Sequence, residues 1–187
     1  MSAMKVERLE IPDVLLIVPQ RFADARGHFS ETYNLQRMVE IGIDRPFVQD
    51  NQSLSRAERT LRGLHCQVAP AAQGKLVRVV RGAVWDVVVD IRNGSPSFGR
   101  WVAATLTESN GEQLWAPEGF LHGFLTLVQD TEIFYKVTVG YSPSDERGVI
   151  WNDPTLNIPW PVQGEPVLSE KDKGLPNFVA ARDWFPK

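Results

Sequence analysis

Short apolar runs separated by turn residues constrain this chain more than any other feature of its sequence. Valine-rich or alternating runs occupy residues 76–80, 84–91, 101–106, 121–128 and 132–139. The turn signals between them are Arg81-Gly82, Asn93-Gly94-Ser95-Pro96, Asn110-Gly111 and Ser142-Pro143. Many short strands at near-regular spacing are typical of an antiparallel sandwich or barrel. We therefore expect an all-β fold.

Helical structure is expected in two places only. Residues 34–41 carry apolar side chains at helical spacing, and Gly42 would end the helix. From about residue 151 the sequence is rich in proline and aromatic residues, which indicates an ordered coil with one helical turn near residues 170–173. Because 187 residues show no repeat and no linker, we predict a single domain, 1–187, with this tail packed on the barrel.

Charge and cysteine content exclude several classes of protein. Twenty basic residues face 23 acidic ones, a formal net charge of −3 without the basic excess typical of nucleic-acid binding. Charges interrupt the first twelve residues, and the apolar run at residues 14–18 is too short to cross a bilayer. The single cysteine, Cys66, excludes an internal disulfide and suits a reducing compartment. We expect a cytoplasmic protein that binds neither nucleic acid nor membrane.

Candidate catalytic groups cluster in one strand-like segment, residues 61–67. It holds His65, with Arg62 close before it. Because residues two apart in a strand share a face, His65 and Gln67 should point the same way, with Gly63 beside them. A glycine at that position removes bulk, as it would if a ligand approached the backbone.

A second segment resembles a motif of the cupin superfamily, whose members are jelly-roll β-barrels. From Gly111 to His122 the spacing is G-x5-P-x-G-x2-H, as in the second cupin motif. The first cupin motif has two histidines one residue apart and then a glutamate, which together bind a metal. Here Gln67 replaces the second histidine, and no glutamate follows at the expected place. Since a metal site needs at least three good ligands, we expect a cupin-type jelly-roll β-barrel with few short helices and no metal.

The remaining polar groups suit proton transfer beside a carbonyl. A neutral histidine is a general base near physiological pH, and a tyrosine can be the acid on the opposite side, roles open to His65 and Tyr135. Lys75, which alternation places on the same face as Val77, can stabilise an enolate. Arginine can hold a pyrophosphate by forked hydrogen bonds. The plainer interpretation stays open, because a lone strand histidine is more often structural and a buried tyrosine more often part of the core.

Eight segments, taken in order, resemble the dTDP-4-dehydrorhamnose 3,5-epimerase family, and the resemblance runs from about residue 11 to about residue 173. They are Gln49-Asp50-Asn51, Leu61-Arg62-Gly63-Leu64-His65, Gln73-Gly74-Lys75-Leu76-Val77-Arg78, Gln113-Leu114-Trp115, Pro117-Glu118-Gly119-Phe120, His122-Gly123-Phe124, Tyr135-Lys136 and Trp151-Asn152-Asp153-Pro154. The resemblance implies a homodimer without metal or cofactor that inverts C3 and C5 of a 4-keto-6-deoxy sugar carried on dTDP. It places the chain in dTDP-rhamnose synthesis for cell-surface polysaccharide.

The same resemblance implies roles residue by residue. His65 corresponds to the base and Tyr135 to the acid. Asp172 corresponds to the aspartate that orients the histidine, and Lys75 to the group that stabilises the enolate at O4. Ten further residues match positions that bind the substrate: Arg26, Glu31, Gln49, Asp50, Asn51, Arg62, His122, Tyr141, Glu146 and Lys171. Some of them are expected to come from the partner subunit, because the family's N-terminal strand crosses to the other monomer.

Three departures from the family pattern bear on the substrate. Gln52 stands where a histidine is usual and Cys66 where an aromatic residue is usual. Gly140 precedes Tyr141 where the family commonly has a second tyrosine, and Val139 replaces a polar residue. Two alternatives therefore remain: an epimerase limited to one carbon or to a related nucleotide sugar, and a sugar-binding cupin without catalysis. A pure binder has no need for both a base and an acid, which disfavours the last.

The tryptophans and the cysteine are expected to be structural. Trp85, Trp101 and Trp115 are assigned to the barrel core, and Trp151 and Trp160 to packing of the tail. Nothing beside Cys66 in the sequence would make it a nucleophile, so we expect it to pack in the interior.

Overall fold

The computed structural model describes residues 4–186 and contains thirteen β-strands there, with two short α-helices and one 3-10 helix. The strands are β1 (Lys5–Arg8), β2 (Leu15–Val18), β3 (Arg21–Asp24), β4 (Gly27–Ser30), β5 (Gln49–Ser55), β6 (Leu61–Gln67), β7 (Lys75–Arg81), β8 (Ala83–Asp90), β9 (Trp101–Thr107), β10 (Gln113–Ala116), β11 (Phe120–Thr126), β12 (Thr131–Val137) and β13 (Glu146–Gly148). The helices are α1 (Leu35–Glu40), α2 (Glu170–Lys173) and the 3-10 helix (Phe178–Asp183).

Two antiparallel sheets face each other and form a cupin-type jelly roll. The first has six strands in the order β1-β2-β10-β7-β12-β5, and the second has five in the order β13-β6-β11-β8-β9. Strands β3 and β4 form a separate hairpin. Between the sheets, Val77 and Ile133 of the first pack in one buried cluster with Val88 and Phe124 of the second. The expected all-β, cupin-type architecture is confirmed.

Each of the five apolar runs predicted from the sequence is a strand, namely β7, β8, β9, β11 or β12. Along β8, Val84 and Val88 face the space between the sheets, whereas Val87 and Val89 pack in the cluster beneath the C-terminal tail. Both faces of this strand are therefore covered. That is why β8 consists mostly of apolar residues and is not an alternation of apolar and polar ones.

The C-terminal tail covers the outer face of the five-stranded sheet. Trp160 packs edge-on against Trp85, with 5.2 Å between ring centres, and Phe178 is buried in the same cluster. The buried carboxylate of Asp153 accepts hydrogen bonds from the backbone N–H groups of Leu156 and Phe178. These bonds tie the two parts of the tail together.

The tryptophans expected in the barrel core lie outside it. Trp85 and Trp101 are beneath the tail, where Nε1 of Trp101 donates to the carbonyl of Leu156 at 3.2 Å. Trp115 packs with Met38 of α1 on the outer face of the six-stranded sheet. The prediction was wrong because strands covered on both faces make inner and outer apolar positions look alike in the sequence.

Both helical segments form where they were expected. Helix α1 follows Asn34, whose side chain accepts a hydrogen bond from the Arg37 N–H, and it ends before Gly42 at φ +95°. Helix α2 follows Ser169, whose hydroxyl accepts from the Asp172 N–H. Ser169 is therefore the helix cap, and the Asp172 side chain is left to turn inward. In the described part of the chain, no helix is long and apolar enough to cross a membrane.

Candidate active site

His65 lies inside the five-stranded sheet, on β6. This strand pairs with β11 on one side, where His122 is directly opposite His65. On its other side it pairs with β13, where Gly148 is opposite. The two histidines are thus neighbours across strands, which their separation in the sequence does not show.

A β-bulge in β6 brings Arg62 to the same side as His65. The register with β11 shifts between these residues, so that Gly63 and Leu64 stand opposite the single residue Gly123. An extra residue on one strand shifts the alternation of side chains by one position. Strict alternation would send residues 62 and 65 to opposite faces, whereas both line one cavity.

Gly63 serves this bulge and not the approach of a ligand. Its φ is +116°, and a Cβ there would lie 2.7 Å from the Cα of Gly123 and 2.8 Å from the carbonyl oxygen of His122. The backbone of β11 is what comes close, which corrects the expectation of a ligand at this point. A side chain at this position would push the strands apart and displace His65.

Two compartments meet at the proposed acid and base. Their volumes are about 450 Å³ for the first and about 360 Å³ for the second. His65, Lys75 and Tyr135 line both, so the compartments form one site with these three side chains at the junction. The other predicted site residues in its walls are Arg62, His122, Lys171 and Asp172 in the first compartment and Gln49, Asn51, Tyr141 and Glu146 in the second.

His65 is held by Asp172 of the tail. Its Nε2 atom lies 2.6 Å from Oδ1 of Asp172, and that carboxylate is almost fully buried. Burial alone would raise the pKa of Asp172, but the hydrogen bond and charge of His65, with a further hydrogen bond from Ser169, lower it below its usual value. An ionised Asp172 fixes the ring and leaves Nδ1 as the nitrogen that can take a proton.

A second histidine–aspartate pair lies beside the first. Nε2 of His122 is 2.9 Å and 3.0 Å from the two carboxylate oxygens of Asp86, which is fully buried. The sequence interpretation named His122 and missed Asp86. The available signal was a carboxylate in the middle of the valine-rich run of β8, because a buried charge requires a partner.

Lys75 and Tyr135 stand on neighbouring strands of the six-stranded sheet, β7 and β12. Lys75 and Val77 line the same compartment, as the alternation predicted. Burial lowers the pKa of Lys75. Burial also raises the pKa of Tyr135, with Arg62 opposing the rise and Glu146 adding to it. Tyr135 therefore carries its proton at neutral pH and can donate it.

Tyr141 and Glu146 at the rim of the second compartment are linked to Lys171 of the first. The Tyr141 hydroxyl donates to Glu146 at 2.8 Å, and Nζ of Lys171 lies 2.5 Å from the same carboxylate oxygen. Burial would raise the pKa of Glu146, but the hydrogen bonds from Lys171 and Tyr141 lower it. Because Lys171 and Asp172 are adjacent, the single turn of α2 contacts both this rim and His65.

Three predicted substrate-binding residues lie outside both compartments. Arg26 is at the tip of the β3–β4 hairpin, where its side chain is 90% exposed and pairs with a neighbouring aspartate. Glu31 pairs with Arg37 of α1 at 3.2 Å. Asp50 pairs with Lys136 at 2.8 Å, on the face of β5 opposite to Gln49 and Asn51. A single copy of the chain does not bring these three residues to the site.

Comparison with known proteins shows which family has this sequence. The sequence model of dTDP-4-dehydrorhamnose 3,5-epimerase matches residues 8–180. The chain belongs to the dTDP-4-dehydrorhamnose 3,5-epimerase family. A member from Pseudomonas aeruginosa is 51% identical over 185 residues, which cover 98% of this chain and 100% of that protein.

Solved structures of other epimerases share this fold. The dTDP-4-dehydrorhamnose 3,5-epimerase of Bacillus anthracis, with TDP and PPi bound, has a TM-score of 0.91 at 47% identity and covers 94% of this chain and 100% of its own. The dTDP-6-deoxy-D-glucose-3,5-epimerase of Legionella pneumophila, in complex with dTDP-4-keto-L-rhamnose, has a TM-score of 0.90 at 42% identity, with 94% and 93% covered. A 3'-monoepimerase of Streptomyces bikiniensis, in complex with dTDP-quinovose, has a TM-score of 0.88 at 34% identity, with 96% and 91% covered.

The positions at which this member of the epimerase family departs from the family pattern are spread over the structure. Cys66 packs in the apolar cluster beneath the tail, and burial raises the pKa of its thiol to about 12, so it is a packing residue as expected. Gln52 donates to Glu132 on the exposed side of β5 and β12. Val139 and Gly140 lie in the loop between β12 and β13, where glutamine side chains bind their carbonyl groups.

Gln67 stands where metal-binding cupins have their second histidine ligand, and here its side chain binds backbone groups. The Gln67 amide is buried and bonds to backbone groups of Ala71, Gly140 and Ser142. Among residues 4–186, no group of three or more His, Cys, Asp or Glu side chains is close enough together to hold a metal ion.

Proposed function

We propose that this epimerase-family protein converts dTDP-4-dehydro-6-deoxy-D-glucose into dTDP-4-dehydro-L-rhamnose in the cytoplasm, by inverting C3 and C5 without a metal or cofactor. The observation that carries the proposal is the meeting of His65, Tyr135 and Lys75 at the junction of the two compartments. His65 belongs to the five-stranded sheet, and the other two belong to the facing six-stranded sheet. A sugar ring between the sheets is therefore open to proton transfer from two sides.

Inversion requires a base and an acid on opposite sides of one carbon. His65, oriented by Asp172, removes the proton from a carbon next to the C4 ketone. The electron pair of the C–H bond moves onto O4 as an enolate, which the Lys75 cation stabilises. Tyr135 then donates a proton to the opposite side of the carbon, and the ketone re-forms. Because C3 and C5 both adjoin C4, the same cycle serves both.

The two compartments suit the two ends of the substrate. Arg62 and His122 line the first, where sugar hydroxyl groups can be bound. The Tyr141 ring on the rim of the second is 58% exposed and offers an aromatic face to the thymine base. Lys171, which lines the first compartment and pairs with Glu146 of the second, supplies positive charge for the diphosphate.

We also infer that the protein works as a homodimer. The β3–β4 hairpin carries two strongly exposed aromatic side chains, Phe22 at 56% and Phe29 at 68% exposure. Burial of this hairpin against a second copy would cover them and carry Arg26 and Glu31 toward the partner's site. Sedimentation velocity should give a mass near twice the 21.0 kDa of one chain. A monomer at micromolar concentration would contradict the inference.

Proton NMR in deuterium oxide tests the reaction directly. The protein is incubated with dTDP-4-keto-6-deoxyglucose, and the signals of the C3 and C5 protons are followed. Loss of both signals supports the double epimerase. Absence of any exchange, in a sample shown to be folded, would contradict the proposed function.

A single-carbon epimerase is the second candidate, and the similarity to the 3'-monoepimerase of Streptomyces bikiniensis favours keeping it. In the same NMR experiment this candidate predicts loss of one signal only. A panel of related nucleotide sugars would then identify the preferred substrate.

The Tyr135→Phe variant should distinguish the role of the acid from that of the base. Turnover should fall by about a hundredfold or more, because the proton donor to the second side is gone. Exchange of the C3 or C5 proton with solvent should persist, because His65 can still remove the proton and return one to the same side. NMR and chiral analysis of the recovered sugar measure both effects. Full inversion at the normal rate would show that another group is the acid.

Lys75 should set the alkaline limit of activity. Its pKa lies below the usual 10.5 because it is buried, and only its charged form stabilises the enolate. Turnover should therefore fall as pH rises through this lowered pKa. In Lys75→Arg the cation persists to higher pH, so the alkaline limb of the kcat profile should move upward, whereas Lys75→Met should lose most activity at every pH. An unmoved limb in Lys75→Arg would assign it to another group.

A further inference from the structure

Four successive residues of the loop between β12 and β13, residues 138–145, have backbone groups bound by glutamine side chains. Gln73 donates to the Val139 carbonyl, and Gln67 donates to the Gly140 carbonyl at 3.2 Å. The Tyr141 N–H donates to Gln49 Oε1 at 3.1 Å, and the Ser142 N–H donates to Gln67 Oε1 at 2.9 Å. This loop has left the sheet, so side chains supply the partners that a strand ladder would otherwise give.

Gln67 binds more of these loop backbone groups than Gln49 or Gln73 does. Its side chain is buried, with 3% exposure, and its amide also donates to the Ala71 carbonyl at 2.8 Å. It thus gives two hydrogen bonds and accepts one, all with backbone groups. An ionised carboxylate can only accept hydrogen bonds, and a neutral imidazole has one donor and one acceptor. The two donated bonds and one accepted bond therefore require a primary amide, and here it is that of a glutamine side chain.

The loop held in this way carries a residue of the second compartment. Tyr141 lies between the two residues whose backbone Gln67 binds, and its hydroxyl donates to Glu146. The rest of the ring is exposed on the rim. The direction of the ring therefore depends on the backbone at Gly140 and Ser142, because glycine at 140 gives the loop little stiffness of its own.

We infer that Gln67 is a positioning residue for the nucleotide end of the substrate: its amide fixes the loop so that Tyr141 stands at the rim of the second compartment. The inference rests on the proposed function, which places the nucleotide there. It gives Gln67, at the site where metal cupins have a histidine ligand, a structural task that acts on substrate affinity. Proton transfer at His65 and Tyr135 does not involve it.

The test is binding of dTDP and steady-state kinetics in Gln67→Glu, with Gln163→Glu as the matched control. Gln163 is exposed and lies outside both compartments. In Gln67→Glu the Kd of dTDP and the KM should rise about tenfold or more, because two buried carbonyls lose their donors and face a negative charge. The kcat should stay within about threefold of the parent value, since the acid and base are unchanged. Gln163→Glu should match the parent protein.

A double-mutant cycle with Tyr141→Ala distinguishes positioning from general stability. If Gln67 acts through Tyr141, Gln67→Glu should cost little further dTDP affinity once Tyr141 is removed. Equal loss of affinity in both backgrounds, or unchanged affinity in Gln67→Glu, would overturn the inference. Gln73→Glu, which removes the donor to the Val139 carbonyl, provides a second variant that acts on the same loop if Gln67→Glu does not fold. Failure of the parent protein to bind dTDP would instead refute the proposed function.

Discussion

Replacing His65 by alanine should lower kcat by about a thousandfold or more, because the group proposed to take the proton from the carbon beside the ketone is removed. Exchange of the C3 and C5 protons with deuterium oxide should disappear together with turnover. Affinity for dTDP should remain close to that of the parent protein, since Tyr141 and Lys171 are unchanged. NMR exchange, kinetics and calorimetric titration with dTDP measure the three quantities.

Replacement of Asp172, the hydrogen-bond partner of His65, provides the comparison for this result. Asp172→Asn keeps a side chain of the same shape but removes the charge that lies 2.6 Å from Nε2. We expect a smaller loss of kcat than in His65→Ala, because the base is still present but is less well oriented. Persistent exchange in His65→Ala would show that His65 is not the base.

Gly63→Ala should destabilise the fold strongly. The position has φ +116°, and its Cβ would lie 2.7 Å from the Cα of Gly123 in β11. Backbone strain and the clash together should cost about 3 kcal/mol. For a protein of this size, that lowers the melting temperature by about 6–12 °C. Thermal unfolding followed by circular dichroism measures the loss, and activity should fall as well because His65 moves with β6.

Gly42→Ala is the matched control for the stability prediction. Gly42 also has a positive φ, +95°, but a Cβ there would meet no atom within 4 Å. This variant should show the cost of the backbone conformation without the clash, about 1 kcal/mol. Equal losses in the two variants would mean that the contact between β6 and β11 relaxes easily, and the importance of the bulge for placing His65 would have to be reduced.

The sequence predicts the parts of the fold that depend on local pattern. The valine-rich runs, the helix before Gly42 and the shared face of Lys75 and Val77 follow from the alternation of side chains and from turn residues, and all are present. The family resemblance selects His65, Tyr135 and the other site residues. Their catalytic and binding roles stay predictions.

What could not be predicted depends on contacts between distant strands. Alternation within β6 gives no sign of the bulge, because the need for Gly63 arises from the backbone of β11. The role of Asp86 becomes visible only from its hydrogen bond to His122, which lies two residues along from its direct pairing partner on the neighbouring strand β11. The covering of both sheet faces likewise hides which tryptophans are inside. Each of these is a property of pairing between elements and not of a local run of residues.

The distance along the chain between His65 and Asp172 has a consequence for how the protein is made. The two residues are 107 positions apart, and Asp172 belongs to the tail that packs over the outside of a finished sheet. During synthesis the barrel strands leave the ribosome before the tail does, so the strand that carries His65 is exposed before its carboxylate partner is available. A late part of the chain therefore completes the base, and a nascent or truncated chain that ends before α2 lacks both the orienting charge and the part of the first compartment's wall that Lys171 and Asp172 form.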